Sequence, residues 1–257
     1  MVSVNGAPLV GACLLGLSLL LLLLLPLLPA AQAGAPRPTS PDLKKTKVFF
    51  DPKGLAKTVG REIEKAIPSE PQDEVILLNG QPECIRLSFD GEKISSDNNF
   101  AARHLLIFPL PKYAAQKTRE RQESFDKQLR QLKTIIKTKA EIKGEAIPIF
   151  PQSDAAEVFH NQMHYLDFKN GSGVSFVASY ANGDPPLKKD SQFYCFQGLS
   201  KDGRFYVSFF WPLTIESLPE NLAIEKGVRY LSKLPRNKFK PDLDRLDRAV
   251  ESLRIDD

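Results

Sequence analysis

The sequence has few of the residues from which most enzyme active sites are built. Only three of its 257 residues are histidine, and only three are cysteine. Three histidines and the lack of a Gly-x-Ser-x-Gly turn leave little from which to build a serine triad. The chain also has no glycine-rich loop for phosphate and no Asp-x-Asp-x-Asp-Gly loop for calcium. These absences predict no cofactor and count against the best-defined hydrolase, nucleotide-binding and calcium-binding classes.

A strong charge of one sign is also missing. Lys and Arg number 35 against 31 Asp and Glu, which gives a net charge of +4. No basic stretch is interleaved with aromatic residues, so we expect no nucleic-acid partner. Lys and Arg dominate residues 112–143, a pattern that indicates a solvated helix face. The alternative is contact with anionic envelope polymers or lipid headgroups, through an attraction that salt screens.

The first 33 residues carry no charge and are dominated by leucine. Residues 14–25 read LLGLSLLLLLLL, and the small residues Ala31 and Ala33 suit the pockets of a signal peptidase. Pro26 and Pro29 break the helix just before that site, as cleavage requires. The sequence therefore predicts a signal peptide over 1–33, a mature chain that begins near Gly34, and a secreted or extracytoplasmic protein.

Two alternatives to cleavage exist. Residues 7–31 are long enough to span a hydrocarbon core of about 30 Å at 1.5 Å per residue, as a retained anchor would. Membrane contact would then be made through the leader alone. The second alternative is a lipobox at Val10-Gly11-Ala12-Cys13, which is disfavoured because it precedes the apolar run instead of following it.

Two cysteines, Cys84 and Cys195, remain in the mature chain. They can pair in an oxidising compartment, or they can stay as two half-buried thiols. Strand alternation over 83–89 places Cys84 beside Arg86 and Ser88, opposite the apolar face. This position predicts that Cys84 is not a core residue.

The mature chain is predicted to be a flexible lead-in over 34–46 and one globular domain over 47–257. Leu55, Val59, Ile63 and Ile67 recur at four-residue spacing and predict a helix over 55–67. A longer helix is predicted over 114–138, and a C-terminal helix over 242–254. Strands are predicted over 75–78, 84–89, 104–108, 163–168, 174–180, 192–199 and 204–211.

The last four strands are predicted to form two hairpins, since each pair is separated by a glycine-bearing turn. Residues 205–211 have hardly any polar face, which indicates a strand that is covered on both sides. The predicted fold is therefore α+β, with a largely antiparallel sheet covered by amphipathic helices. Helices on both faces would make it a three-layer sandwich, and a second layer over one face is the alternative.

Short segments spread over the chain resemble a family of secreted bacterial proteins that has no assigned activity. They are Phe50-Asp51-Pro52, Val158-Phe159-His160, Tyr165-Leu166-Asp167-Phe168, Asn170-Gly171-Ser172-Gly173-Val174, Ser179-Tyr180-Ala181, and the segments 193–199 and 202–208. The resemblance covers most of the mature chain and implies an exported single domain, but it identifies no catalytic residue. The element order is also similar to the helix-sheet-helix layering of the PsbP and Mog1 families.

Glu157, His160 and His164 are the candidate metal ligands. At spacings of three and four residues they would share one face of a helix and could hold an ion. The strand interpretation competes with this, because a strand would place His160 and His164 about 13 Å apart at 3.3 Å per residue.

Two further sets of residues could form a site. Asp167 with Asp184 or Asp190 could act as acid and base on a glycan, although acids beside Gly and Pro are typical of turns. Tyr206, Phe210 and Trp211 could line a ligand pocket, or they could simply fill the core.

The sequence therefore predicts a secreted or envelope-associated, non-catalytic module that binds an envelope component or a small ligand. The alternative is a small secreted hydrolase that uses carboxylates or His160 in a cleft beside the sheet.

Overall fold

The structure describes most of the chain from residue 39 onwards. The computed structural model covers residues 39–69, 79–92, 102–115, 119–142, 145–151, 155–183, 185–220 and 222–257. The predicted signal peptide at 1–33 and the predicted strand at 75–78 lie outside these residues. Arg37–Asp257 clusters as one compact unit.

Antiparallel strands form the centre of the fold. The described strands are, in chain order, β1 (Lys47–Phe49), β2 (Val59–Glu64), β3 (Ile67–Ser69), β4 (Asn79–Gln81), β5 (Cys84–Phe89), β6 (His104–Pro109), β7 (Ala156–Phe168), β8 (Gly171–Ala181), β9 (Gln192–Ser200), β10 (Phe205–Leu213) and β11 (Arg254–Asp256). Seven of them make one sheet in the order β2-β5-β6-β10-β9-β8-β7, and each neighbouring pair is antiparallel. Two-stranded ribbons join β1 to β11 and β3 to β4.

Four α-helices accompany the sheet in the described ranges: α1 (Leu110–Ala115), α2 (Arg119–Thr138), α3 (Ile224–Lys233) and α4 (Leu243–Glu251). Helix α4 begins at a well-formed cap, because the side chain of Asp242 accepts hydrogen bonds from the backbone N–H groups of Asp244 and Arg245. No helix in these ranges is both long enough and apolar enough to cross a membrane. The predicted class, α+β with a large antiparallel sheet, is confirmed.

Strand β10 contributes to two separate apolar clusters, because successive side chains of a strand point to opposite faces. Phe205, Val207 and Phe209 pack in a cluster that includes residues of α4, which we call the α4 cluster. Tyr206 and Phe210 pack in a cluster that includes residues of α1 and α2, which we call the α2 cluster. The prediction that this strand is covered on both sides is confirmed, since all its residues except Pro212 are buried.

The helix predicted over 55–67 is wrong. Residues Val59–Glu64 form strand β2, which pairs with β5, and Ile67 begins β3. A spacing of four residues is close to one helical turn, but it is also two repeats of a strand, so Val59 and Ile63 share a strand face equally well. Both side chains pack against the α4 cluster.

Other predicted boundaries also differ. The helix predicted over 114–138 ends at Thr138 as expected; residues 119–138 form α2, residues 114–115 lie in α1, and residues 116–118 lie outside the described residues. The helix predicted over 242–254 stops at Glu251, and the chain then returns to the β1 ribbon as β11. The predicted lead-in reaches the core at its C-terminal end, where Leu43 is buried and the Arg61 guanidinium donates to the Leu43 carbonyl at 2.9 Å.

The prediction for Cys84 is wrong as well. Its side chain is fully buried and belongs to the α2 cluster, as does that of Cys195. The face that carries Arg86 and Ser88 was expected to be polar, but residues of α1 and α2 cover the same side of the sheet. A covered strand shows no clean alternation between polar and apolar faces, so the pattern was misleading.

Candidate functional site

A groove of about 780 Å³ runs beside β7, the outermost strand at one end of the sheet. Its floor is the strand itself, over residues 157–163. One wall is formed by Glu141, Ile142, Glu145 and Ala146, and the other by helix α3, through Val228 and Ser232. We call this feature the β7 groove.

An irregularity in β7 shapes the groove. The register between β7 and β8 shifts between Asn161 and His164, and Gln162 has a positive φ of 53°. A bulge of this kind at a sheet edge redirects the side chains around it. The side-chain amide of Gln162 donates to the carbonyls of Leu231 at 2.9 Å and Leu234 at 3.0 Å. Both carbonyls lie at the C-terminal end of α3, where that of Leu231 also accepts from the backbone N–H of Leu234, so the bulge is fixed by the helix.

Asn161 is the most unusual residue of the β7 groove. It lines the groove and is only 9% exposed. Neither its Oδ1 nor its Nδ2 has a hydrogen-bond partner among the described residues. A buried polar group without a partner costs about 1–3 kcal/mol, and native structures keep few of them. Both amide atoms have almost no accessible surface, so the unused acceptor and donor lie beneath the floor of the groove and meet a ligand only when the side chain or its neighbours move.

Glu157 and His160 form a closed pair in the same groove. Nδ1 of His160 lies 2.6 Å from Oε1 of Glu157, and its Nε2 lies 3.1 Å from the Ile142 carbonyl oxygen. The other oxygen of Glu157 accepts from the backbone N–H of Ile147 at 3.3 Å. The pair thus holds Ile142 and Ile147 against the strand.

The charge state of His160 follows from these contacts. Burial lowers the pKa of His160, but the hydrogen bond and the charge of Glu157 and the Ile142 carbonyl outweigh it, so the pKa is raised above 6.5. Both ring nitrogens face acceptors, which suits the imidazolium, in which both donate. With no ring nitrogen left for a substrate, this histidine is poorly placed to act as a general base.

His164 belongs to a different cluster, centred on Asp247 of α4. Nδ1 of His164 lies 2.7 Å from Oδ2 of Asp247. The buried carboxylate also accepts from the hydroxyls of Tyr194 at 2.8 Å and Ser175 at 3.1 Å, and from the guanidinium of Arg236. Burial and the nearby Asp247 charge raise the pKa of Tyr194 well above 10. This cluster ties α4 to the sheet.

The three predicted metal ligands do not converge. Glu157 and His160 lie together, whereas His164 is held by Asp247 on the other side of the bulge. The helix that would align all three is absent, because these residues form strand β7. Within the described ranges, no three His, Cys, Asp or Glu side chains are grouped so as to hold an ion.

The predicted carboxylate pair is also separated. Asp167 lies opposite Ser172 at the start of β8, whereas Asp190 precedes β9, whose first residues pair with the far end of β8. The two are about 20 Å apart at 3.3 Å per residue, more than the roughly 9.5 Å that a glycosidase pair can span. The third candidate, Asp184, lies outside the described residues.

The predicted pocket aromatics are core residues. Tyr206 and Phe210 are buried in the α2 cluster, and Trp211 is buried in the α4 cluster. Neighbours along a strand point to opposite faces of the sheet, so the three cannot line one pocket.

The predicted disulfide is not formed, and both thiols are free. Strands β6 and β10 lie between β5, which carries Cys84, and β9, which carries Cys195. Three strand spacings amount to about 14 Å, and a disulfide needs Cα atoms within about 7 Å. Burial raises the pKa of each thiol well above 9, so both are unreactive.

The sequence did not single out Asn161 or Gln162. The one signal that could have found them is the polar run His160-Asn161-Gln162, which interrupts an otherwise apolar strand and is typical of an edge or a bulge. Comparison with protein-family models, with curated proteins and with solved structures gives no match. The argument for function therefore starts from the geometry of the β7 groove.

Proposed function

We propose that the mature chain is an extracytoplasmic, non-catalytic domain that binds a small polar ligand in the β7 groove. Export rests on the leader sequence of residues 1–33. In finer detail, the proposed architecture of the domain is a three-layer sandwich built on two C-terminal hairpins. In that arrangement the α2 and α4 clusters flank the sheet, and its outermost strand carries the site.

The β7 groove, with the unpartnered amide of Asn161 beneath its floor, is the observation that carries this proposal. A stable fold tolerates a buried polar group without a partner when function requires it. The volume of the groove, about 780 Å³, lies within the range of roughly 300–1,000 Å³ that is typical of small-molecule sites. Its lining mixes apolar side chains such as Val158 and Val228 with a few polar groups, which is also typical of such sites.

Ligand-observed NMR with a library of polar fragments tests the proposal directly. The protein is purified in the form in which the cell accumulates it. Some fragments should bind to the wild type, and the same fragments should not bind to Asn161→Leu. Asn237→Leu is the matched control, because it replaces an exposed amide outside the groove; its hits should be those of the wild type. Hits that survive equally in both variants, or no hits at all, would refute the proposal.

N-terminal sequencing of the native protein tests export separately. A chain that starts near Gly34 in an extracytoplasmic fraction is the expected result. Met1 retained in a cytosolic fraction would contradict it.

One observation favours a hydrolase as the second candidate. A carboxylate that holds Nδ1 of a histidine orients the imidazole for proton transfer, and Asp247 holds His164 in this way. The His164 side chain is 55% exposed, and no partner of its Nε2 is found among the described residues. A panel of nitrophenyl esters tests this candidate. Turnover by the wild type that is absent in His164→Ala would support a hydrolase, and no turnover by the wild type would contradict it.

A further inference from the structure

The outer side of β7 is an unpaired sheet edge. The strand is the last of the seven in its sheet, so it pairs with β8 on one side alone. On the other side, over residues 157–163, no backbone group makes a backbone hydrogen bond within the described ranges. Because the N–H and C=O groups of a strand point alternately to its two sides, about half of these groups face the groove.

The two walls of the groove continue the layers that cover the sheet. Ile142 packs against the α2 cluster, and Val228 of α3 packs against the α4 cluster. These clusters lie on opposite faces of the sheet, because they contain alternate residues of β10. A strand added beside β7 would therefore have one wall over each of its faces.

The edge at the other end of the sheet is different. Strand β2 is also an edge strand, but Arg61 and Glu62 at its centre are exposed. Charged residues on an exposed edge are a means by which natural sheets prevent pairing with another chain. In β7, by contrast, Phe159 and Asn161 are buried, and His160 between them is half-buried. The β7 edge is thus sheltered by its walls, and its central residues are not exposed charges.

Two irregularities limit the length of a segment that can pair with β7. The register with β8 shifts between Glu157 and Phe159, and again between Asn161 and His164. A bulge disrupts regular pairing and bends the strand, so the regular edge is restricted to residues 159–161. At 3.3 Å per residue this stretch is about 10 Å long, which suits a peptide of about three to five residues and not a long strand of another sheet.

We infer that the β7 groove binds a short extended peptide segment, which adds to the sheet as a strand beside residues 159–161. This inference rests on the proposed function and adds the class of ligand to it. The peptide backbone donates to and accepts from the unpaired groups of β7, and its side chains point alternately to the two walls. Because backbone groups make the hydrogen bonds, the affinity depends on the N–H groups of the peptide.

A library of end-blocked pentapeptides, in which Ser, Thr, Val, Leu and Tyr are varied at every position, serves as the probe. Affinity selection with the purified protein identifies the peptide that binds most tightly. Isothermal titration calorimetry then compares this peptide with its analogue that is N-methylated at every residue and has no backbone N–H donors. The analogue should bind at least about tenfold more weakly, since several hydrogen bonds are lost.

Amide hydrogen exchange locates the contact. In the free protein, the N–H groups of residues 159–161 that point away from β8 should exchange fast, and the selected peptide should slow them about tenfold or more. The outward N–H groups of β2 are the internal control and should not change. Slow exchange of the β7 groups in the free protein would overturn the inference, because a second copy or another segment of the chain would then occupy the edge.

A substitution on α3 tests the position of the peptide without changing β7. Ser232→Trp places a large side chain in the groove and should lower the affinity for the peptide about tenfold or more. Lys233→Trp is the matched control, because Lys233 is also an exposed residue of α3 but does not line the groove. Its affinity should equal that of the wild type.

The outcomes separate this inference from the proposed function. If the methylated peptide binds as tightly as its parent, and Ser232→Trp weakens both, pairing with the strand is wrong and the groove still binds ligands. The peptide class is equally wrong if no library member binds but polar fragments give hits that depend on Asn161. If neither peptides nor fragments bind, the proposed function and the inference fail together.

Discussion

His160 and His164 lie four residues apart on one strand, and each meets a carboxylate, yet the two sites differ in kind. The His160 imidazole is buried, and both its nitrogens are engaged, by Glu157 and by a backbone carbonyl. The His164 imidazole is largely exposed and engages only Nδ1, with Asp247. Between them, the bulge at Gln162 changes the register of the strand.

The difference shows which member of each pair matters to the structure. At the first site the histidine joins the strand to Ile142 and the carboxylate joins it to Ile147, so Glu157 and His160 depend on each other. At the second site the carboxylate is the centre, because Asp247 also gathers donors from Tyr194, Ser175 and Arg236. His164 lies at the rim of that cluster. Substitutions at the two sites should therefore differ in both size and pH dependence.

The largest effect is expected for Asp247→Ala. It removes the acceptor of the Tyr194 hydroxyl and the buried one of the two carboxylates that hold Arg236, and removal of one partner of a buried ion pair costs about 3–5 kcal/mol. Urea unfolding followed by circular dichroism measures the loss. Asp244→Ala is the control, because that exposed carboxylate pairs with the same arginine and should cost less than about 1 kcal/mol. Equal losses in the two variants would show that Asp247 is not the centre of the cluster.

The next effect is expected for Glu157→Gln, and it depends on pH. Because the pKa of His160 is raised above 6.5 in the folded state, the charged pair contributes stability fully below about pH 6.5. That contribution is lost as pH rises through the folded pKa. The variant should cost about 2 kcal/mol at pH 6, where a charged hydrogen bond is lost, and about 1 kcal/mol at pH 9.

NMR titration of the imidazole protons gives the matching measurement. His160 should titrate above 6.5 in the wild type and lower in Glu157→Gln. His104 is the internal reference, since burial outweighs its hydrogen bond to the Ala102 carbonyl and lowers its pKa to about 4. Its titration should be the same in both proteins. A cost of Glu157→Gln that is equal at pH 6 and pH 9 would contradict the charged pair.

Much of the sheet could be predicted from the sequence, because its signals are local. The segments 192–199 and 204–211 lie within β9 and β10, apart from Arg204 just before β10, and the apolar run of β10 correctly indicated cover on both faces. Helix α3 was not predicted, since Gly227 interrupts a helix of only ten residues. Gly227 is required by packing: a Cβ there would lie 2.4 Å from the Leu187 side chain, a contact that no local pattern reveals.

The β7 groove could not be predicted, because its defining feature is long-range. The amide of Asn161 is unusual only once α3 and residues such as Ile142 and Ala146 are brought beside the strand. The pairing of His164 with Asp247 joins residues 83 positions apart. In contrast, Glu157 and His160 were singled out together by their spacing, and they do meet.

A smaller effect, of opposite sign, is expected for Asn161→Leu. The substitution keeps the volume of the side chain and removes two polar atoms that have no partner among the described residues. The free energy of unfolding should rise by about 1 kcal/mol while ligand binding is lost. Thermal unfolding measures the gain, with Asn237→Leu as the reference. A loss of stability above about 1 kcal/mol would mean that the amide is satisfied in solution.

The smallest effect is expected for His164→Ala, and it sharpens the comparison most. The side chain is 55% exposed, and Asp247 keeps its other donors, so the variant should lose less than about 1 kcal/mol in urea unfolding. His160→Ala should lose more, since it leaves Oε1 of the buried Glu157 carboxylate without its partner. His164→Ala should stay folded. If the wild type turns over an ester and this variant does not, the turnover therefore depends on the imidazole itself. If instead His164→Ala is the more damaging of the two, the exposed histidine, and not the buried one, supports the strand.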